Sequence, residues 1–210
     1  MDAATNHREW AKRSGEFSPT YYAHLGPNKV SKSLVTMLNS FVNKEASILE
    51  IGCSSGRHLA HLLENGFHNL SGIDINDESF EVMEEYFPAL AEQGTFYTGA
   101  MERLVPDFAD NEFDVVYSVE TLQHVHADDE WVFEEVARIT GQLLVTVENE
   151  GADGDGREHG DNVRLINDDF PIYYRDWNRI FTSFGLEQRL ERPSKRDTIR
   201  VFEPPVSDSK

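Results

Sequence analysis

The sequence contains one cysteine, Cys53, among 210 residues, which excludes a disulfide framework and any metal site built from several cysteines. Lysine is scarce, with six residues against thirteen arginines, and 19 basic residues face 38 acidic ones. The resulting charge of −19 repels phosphate backbones and anionic lipid, so we expect neither a nucleic-acid nor a membrane partner. Long apolar runs and an apolar secretion core are also missing, and we expect a soluble, cytoplasmic monomer or homodimer.

The acidic residues are spread along the whole chain and do not form a tail. Such an excess is typical of proteins that stay hydrated in concentrated salt, where a screening length of about 3 Å removes self-repulsion. An ordinary acidic cytosolic protein is the alternative interpretation. The sequence alone leaves both a halophilic and an ordinary source open.

Short apolar segments alternate with amphipathic ones. A helix is predicted over residues 29–43 from the spacing of its apolar residues. Predicted strands and helices then follow one another: strands 47–52, 70–75, 95–98, 113–118 and 142–148, helices 57–65, 78–86, 128–139 and 173–183, and a final pair of strands over 186–191 and 197–202. This order predicts an α/β fold, a doubly wound and mostly parallel sheet with an antiparallel C-terminal hairpin.

Several boundaries follow from single residues. Asp77 is predicted to cap the helix over 78–86, and Gly141 to end the helix over 128–139. The glycine- and acid-rich stretch 149–162 is predicted to be a solvated loop or a lid. We expect a single domain overall, with a helical lid segment at 1–44 and the main body at 45–210.

The first predicted strand ends in Glu50-Ile51-Gly52-Cys53-Ser54-Ser55-Gly56-Arg57. Small residues at such a turn let a ligand approach the backbone, and the N–H groups of the following helix point towards that ligand. Asp74 ends the second strand, where a carboxylate can accept two hydrogen bonds from ribose hydroxyls. The turn and the acid together indicate a nucleotide-like ligand.

Two other interpretations compete for this turn. The dinucleotide fingerprint G-x-G-x-x-G fits poorly, because Ser54 and Arg57 stand where glycines are needed. The segment 52–56 also matches the G-x-S-x-G elbow of serine hydrolases, with Ser54 as nucleophile and Asp128 and His159 as candidate partners. An elbow normally follows several strands, whereas this turn follows the first one.

A third interpretation fits best, because four segments agree in order and spacing. Residues 50–56, Gly72-Ile73-Asp74-Ile75, 99–104 and 113–125 resemble the sequence motifs of class I S-adenosylmethionine-dependent methyltransferases, of the type 11 or UbiE-like small-molecule group. The resemblance covers residues 45–150 and implies a seven-stranded Rossmann-like sheet that uses S-adenosylmethionine as its cofactor. Ser54 and Ala100 depart from the pattern, the latter at the position of the acid that usually holds the adenine amino group.

The resemblance also implies roles for individual residues. The cofactor-binding residues it implies are Tyr22 from the lid, Glu50, Gly52, Cys53, Ser54 and Gly56 in the turn, Asp74 and Ile75 at the ribose and adenine, Met101 and Glu102 at the adenine, and Ser118 beneath the methionine group. His124 follows the fourth strand and is the candidate catalytic residue, either as a general base or as part of the acceptor pocket wall. Val119 occupies the position of the metal-binding aspartate of metal-dependent members, so no metal is expected.

The acceptor is the least determined part. The segment 118–121 lacks the motif of amino-methylating nucleic-acid enzymes, and the chain is acidic, so a small-molecule O or N acceptor is expected. Methyl transfer from a sulfonium is an in-line displacement that depends mostly on alignment. A serine hydrolase and a non-catalytic cofactor-binding module remain alternatives.

Overall fold

A computed structural model describes residues 2–151, 163–166, 170–193 and 196–205 of the chain. The α-helices, in chain order, are α1 (Ala3–Ala11), α2 (Pro19–Leu25), α3 (Lys29–Phe41), α4 (Arg57–Glu64), α5 (Ser79–Tyr86), α6 (Pro88–Gln93), α7 (Met101–Leu104), α8 (Val132–Ile139) and α9 (Trp177–Ser183). Short 3₁₀ turns lie at Val105–Asp107, Leu122–His124 and Ala127–Asp129.

Seven strands form one sheet and two form a separate ribbon. The strands, again in chain order, are β1 (Ile48–Ile51), β2 (Leu70–Asp74), β3 (Thr95–Thr98), β4 (Phe113–Val119), β5 (Thr140–Glu148), β6 (Val163–Ile166), β7 (Phe170–Tyr173), β8 (Glu187–Pro193) and β9 (Thr198–Glu203). The large sheet has the order β3-β2-β1-β4-β5-β9-β8, and β6 pairs with β7 alone.

The first five strands of the large sheet are parallel, whereas β9 runs antiparallel to β5 and β8 antiparallel to β9. This arrangement confirms the predicted α/β class, the mostly parallel seven-stranded sheet and the C-terminal hairpin. The strand order reverses between β1 and β4, so their carboxyl ends open a crevice at that point of the sheet.

Apolar side chains cover both faces of the sheet, as expected for a buried parallel sheet. Leu34 and Leu38 of α3 are fully buried on one face, together with α4 residues. Val136 of α8 and Trp177 of α9 are fully buried on the other. Helix α3 is therefore part of the core, while α1 and α2 lie over the carboxyl edge of the sheet.

Three predicted boundaries are wrong. Asp77 does not cap α5; the Asn76 side chain accepts a hydrogen bond from the Glu78 N–H at 3.0 Å instead. Gly141 does not end a helix, because α8 stops at Ile139 and residue 141 already lies within β5. The helix predicted over 173–183 begins only at Trp177, since Tyr173 pairs with Val163 in the ribbon.

The predicted loop over 149–162 falls almost entirely outside the described residues. Among those that are described, no helix has the length and apolar character needed to cross a membrane.

We expect Leu38→Ala to lower the free energy of unfolding by about 2–5 kcal/mol, because it removes a fully buried side chain and leaves a cavity in the core. Denaturant unfolding followed by circular dichroism measures this loss. Leu25→Ala is the matched control, since Leu25 is 56% exposed and its loss should cost far less. Equal losses in the two variants would contradict this description of the core.

Candidate active site

A cavity of about 420 Å³ lies at the carboxyl edge of the sheet, where β1, β2 and β4 end. Helices α1 and α2 cover it, and the turn after β4 forms its far wall. Its lining includes most of the candidate residues, namely Tyr22, Glu50, Gly52, Cys53, Ser54, Asp74, Ile75, Met101, Glu102 and His124. The sequence motifs therefore converge on one cavity.

The turn after β1 follows a left-handed path. Gly52, Ser54 and Gly56 have φ angles of +73°, +50° and +82°. A Cβ on Gly52 would collide with the side chain of Thr121, so this position requires glycine. Ser54 adopts the conformation that a glycine favours, at a cost of about 1–2 kcal/mol. The backbone thus keeps the shape of a glycine-rich turn although the middle residue is serine.

Asp74 ties this turn to the end of β2. Its carboxylate accepts hydrogen bonds from the Ser54 N–H at 2.7 Å, the Asn76 N–H at 2.8 Å and the Ser79 hydroxyl at 2.8 Å. Burial raises the pKa of Asp74, and the hydrogen bonds act in the opposite direction. A carboxylate has roughly four acceptor positions, so these donors leave about one for a ligand. The two ribose hydrogen bonds expected from the sequence would therefore require one of these donors to move.

Glu50 is the buried acidic residue of the site that receives the fewest hydrogen bonds. Its side chain is 1% exposed, and its carboxylate accepts one hydrogen bond, from the Tyr117 hydroxyl at 2.9 Å. Burial raises the pKa of Glu50 well above its ordinary value. No other hydrogen bond to Glu50 is made by the described residues, so its free oxygen is available to a cationic group in the cavity.

Glu148, the last residue of β5, organises the turn after β4. It accepts hydrogen bonds from the Ser118 hydroxyl at 2.6 Å and from the N–H groups of Thr121, Leu122 and Gln123 at 3.1–3.3 Å. Burial raises its pKa to about 7 despite these donors. The turn that carries His124 is thus held in place by one buried carboxylate.

His124 has a defined tautomer. Its Nδ1 lies 2.9 Å from the Pro171 carbonyl oxygen, which can only accept, so Nδ1 carries the proton and Nε2 the lone pair. Burial lowers the pKa of His124 to about 4, so the ring is neutral at pH 7. Trp10 of α1 lies against the ring, with centroids 4.6 Å apart, and Asn6 donates to the His124 carbonyl. Helix α1 therefore covers this residue.

Tyr22 and Arg57 meet on the opposite side of the turn. The guanidinium of Arg57 lies over the Tyr22 ring, 4.6 Å from its centroid. Burial raises the pKa of Tyr22 to about 12, so its hydroxyl stays protonated. Within the described part of the chain, no carboxylate forms an ion pair with Arg57. This cation lines the cavity together with the acids and is available to an anionic group.

Two candidate residues support the site from outside the cavity lining. Gly56 lies behind the turn, where a Cβ would meet Met83 and Leu90. Ser118 is fully buried and donates to Glu148. Neither is among the residues that line the cavity, and their roles in cofactor binding stay predictions.

Several residues of the cavity wall were not predicted from the sequence. They include Asn6, His7 and Trp10 of α1, Arg13 just after it, Arg57, Thr121, Gln123, Asn149 and Arg196. Arg57 and Asn149 directly follow predicted features, so position alone could have indicated them. The residues of α1 carry no such signal, because their proximity depends on how α1 folds back over the sheet.

Residues 49–142 match the family model described as a methyltransferase domain. The match begins within β1 and ends within β5, and so covers the turn, Asp74 and the His124 turn. This stretch of the chain is therefore similar to a methyltransferase domain. The family resemblance inferred from the motifs is thereby confirmed.

Known proteins agree with this assignment. An O-methyltransferase of Pyrenophora dematioidea is 22% identical over 122 residues, which are 58% of this chain and 45% of that protein. This chain therefore matches less than half the length of that relative.

Solved structures share the fold of the methyltransferase domain. The 1,6-didemethyltoxoflavin-N1-methyltransferase of Burkholderia thailandensis, solved with S-adenosylhomocysteine, has a TM-score of 0.63 at 14% identity, covering 84% of this chain and 77% of its own. An S-adenosylmethionine-dependent methyltransferase of Mesorhizobium loti has a TM-score of 0.62 at 13% identity, covering 80% and 96%. At such identities these structures establish the Rossmann-like fold alone.

The hydrolase alternative finds no support in the methyltransferase domain. Ser54 makes no hydrogen bond to a histidine in the described residues. His58, the nearest histidine in sequence, is buried and shares a 2.8 Å hydrogen bond with Ser31. Asp128 is paired with His126, and His159 lies outside the described residues.

We expect Glu148 to make stability depend on pH. Its folded pKa of about 7 exceeds its ordinary value of 4.5, so the folded protein binds the proton more tightly and stability falls as the pH rises between these values. The loss for this residue is about 3 kcal/mol. Glu148→Gln should flatten this slope in denaturant unfolding between pH 5 and 8.

Glu84→Gln is the control for this measurement, because Glu84 is exposed and makes no hydrogen bond or ion pair with another described side chain, so the slope should stay unchanged. A Glu148→Gln variant with the pH dependence of the original protein would show that this carboxylate does not titrate in that window.

Proposed function

We propose that this chain transfers a methyl group from S-adenosylmethionine to an oxygen or nitrogen atom of a small molecule, without a catalytic metal. The observation that carries the proposal is the buried, incompletely compensated carboxylate of Glu50 beside the left-handed turn. A sulfonium and an ammonium are the kinds of charge that such a carboxylate stabilises.

The residues present suit this cofactor in three further respects. The remaining acceptor position of Asp74 is available to a ribose hydroxyl. Ile75 and Met101 offer apolar surface to an adenine ring, and Glu102 lies beside Met101 on the same wall. Arg57 supplies a cation for the carboxylate of the methionine group. The cavity volume of about 420 Å³ is within the range of small-molecule sites.

When bound, the cofactor supplies an activated methyl group, and the protein supplies alignment and the exclusion of water. Trp10 and Tyr22 close the cavity from the side of the helices. A cavity covered by these helices suits a small acceptor better than a polymer, and the charge of −19 further disfavours nucleic acid.

His124 is the residue that we propose to meet the acceptor. Its Nε2 carries the lone pair and lies 3.4 Å from the Gln123 amide nitrogen, which donates to it. An acceptor hydroxyl or amine that takes the place of this long contact would donate to Nε2, and its attacking atom would be oriented. A pKa of about 4 makes it a weak base, so orientation contributes more than proton removal. Gln123 and Asn149 also line this part of the cavity and provide further polar contacts.

The proposal is tested by calorimetry with S-adenosylhomocysteine and by mass spectrometry of small-molecule mixtures incubated with S-adenosylmethionine. We expect Asp74→Ala to weaken binding by roughly 10-fold or more, because a ribose contact to a carboxylate contributes about 1.5–3 kcal/mol. Asp77→Ala is the control, since Asp77 is exposed and lies three residues away.

Equal affinities of the Asp74→Ala and Asp77→Ala variants would refute the ribose assignment. Tight binding of the nucleoside without methyl transfer to any compound of a broad collection would support the non-catalytic module. Labelling of Ser54 by a fluorophosphonate would support the hydrolase.

We expect Arg57→Met to weaken S-adenosylhomocysteine binding by about 10-fold, because it removes a charge-assisted hydrogen bond to the carboxylate. Binding of 5′-methylthioadenosine, which lacks the amino acid group, should stay unchanged. Lys32→Met on the exposed face of α3 controls for the loss of a positive charge. A parallel loss of affinity for both nucleosides would place Arg57 away from the carboxylate.

A further inference from the structure

Three side chains of types that can bind metals come from separate elements and lie close together beside the cavity. His7 belongs to α1, Glu102 to α7, and Asp129 to the 3₁₀ turn Ala127–Asp129. One ligand atom from each lies within 4.8 Å of the other two. The His7 Nε2 atom is 3.3 Å from Glu102 Oε1 and 4.0 Å from Asp129 Oδ2.

The burial of these atoms sets the group apart from a surface ion pair. The side chains of His7, Glu102 and Asp129 are 31%, 10% and 21% exposed. The Nε2 atom of His7 and the Oδ2 atom of Asp129 are both buried and meet no hydrogen-bond criterion, although Nε2 lies within ion-pair distance of Glu102. Both atoms could therefore exchange their present neighbours for a metal ion.

We propose that His7, Glu102 and Asp129 bind one divalent zinc-like metal ion. One imidazole nitrogen and two carboxylate oxygens form a donor set that Zn²⁺ accepts, with a water as fourth ligand. Bonds of about 2.0–2.2 Å around such an ion place neighbouring ligand atoms a little over 3 Å apart. The observed spacing therefore requires only small side-chain rotations.

The ion would hold helix α1 in its position over the cavity. Helix α1 brings His7, while Asn6 and Trp10 of the same helix contact His124. Glu102 and Asp129 belong to the body of the domain. A metal ion bound by all three residues would link α1 to the body of the domain, so the role of this ion is structural. This site departs from the absence of metal expected from the sequence.

The full chain, freed of metal by a chelator, is titrated with Co²⁺ and followed by visible absorption, and with Zn²⁺ by calorimetry. A pH of 8 is suitable because Glu102 raises the pKa of His7, and a proton competes for Nε2. We expect one equivalent to bind and the affinity to fall by at least about 10-fold in His7→Gln and in Asp129→Asn.

His61→Gln is the matched control, because His61 pairs with Glu64 on the surface at the same 3.3 Å distance. Trypsin cleavage within α1 should slow on addition of Zn²⁺ in the original protein and in His61→Gln alone. The proposal is overturned if the original protein binds neither metal below about 1 mM, or if it binds no more tightly than the His7→Gln variant. Neither result bears on nucleoside binding, which is measured separately.

Discussion

The site depends on how buried carboxylates are compensated at the carboxyl ends of parallel strands. Asp74, Glu50 and Glu148 belong to β2, β1 and β5 and lie along the same edge of the sheet. An ionised group in the interior is costly unless donors surround it. The three carboxylates differ in the number and kind of hydrogen-bond donors around them, and this difference suggests a different role for each.

Asp74 and Glu148 are compensated mainly by the backbone. Asp74 receives the N–H of Ser54 and so fixes the turn after β1, while Glu148 receives three consecutive N–H groups and fixes the turn after β4. Both carboxylates shape the walls of the cavity. Among the described residues, Glu50 receives only the Tyr117 hydroxyl, so its carboxyl group keeps room for a further partner. Two acids shape the walls of the site, and the third is the one that we propose to face the ligand.

Most of the sheet could be predicted from sequence because period and composition determine its strands locally. Glu50 and Asp74 were found because each lies at or next to the end of an apolar strand and so stands out by its charge. Glu148 has the same position at the end of β5, yet its role depends on the N–H groups of Thr121, Leu122 and Gln123, which no local pattern reveals. Tyr173 was assigned to a helix because its partner strand β6 has no strong periodicity of its own.

The cavity wall also has one half that the sequence predicts and one half that it does not. The half formed by the turn after β1 and by Asp74 comes from one short stretch of sequence, so a motif can describe it. The half around His124 combines α1, the turn after β4 and Pro171, which are far apart in the chain. Only the tertiary fold brings them together, so the acceptor side could not be derived from sequence. This asymmetry explains why the motifs indicate the methyl donor and leave the acceptor open.

The large number of acidic residues in the chain bears on the role of Arg57. In a protein with 38 acidic residues, arginines readily find carboxylates, as Arg138, Arg175 and Arg200 do. Arg57 instead lies on an aromatic ring at the cavity, with no ion pair among the described residues. Lack of an ion pair is not unique to Arg57, but its position in the cavity wall makes its guanidinium available to an anionic ligand group. Together with Glu50 it would suit the carboxylate and the ammonium of the ligand that we propose.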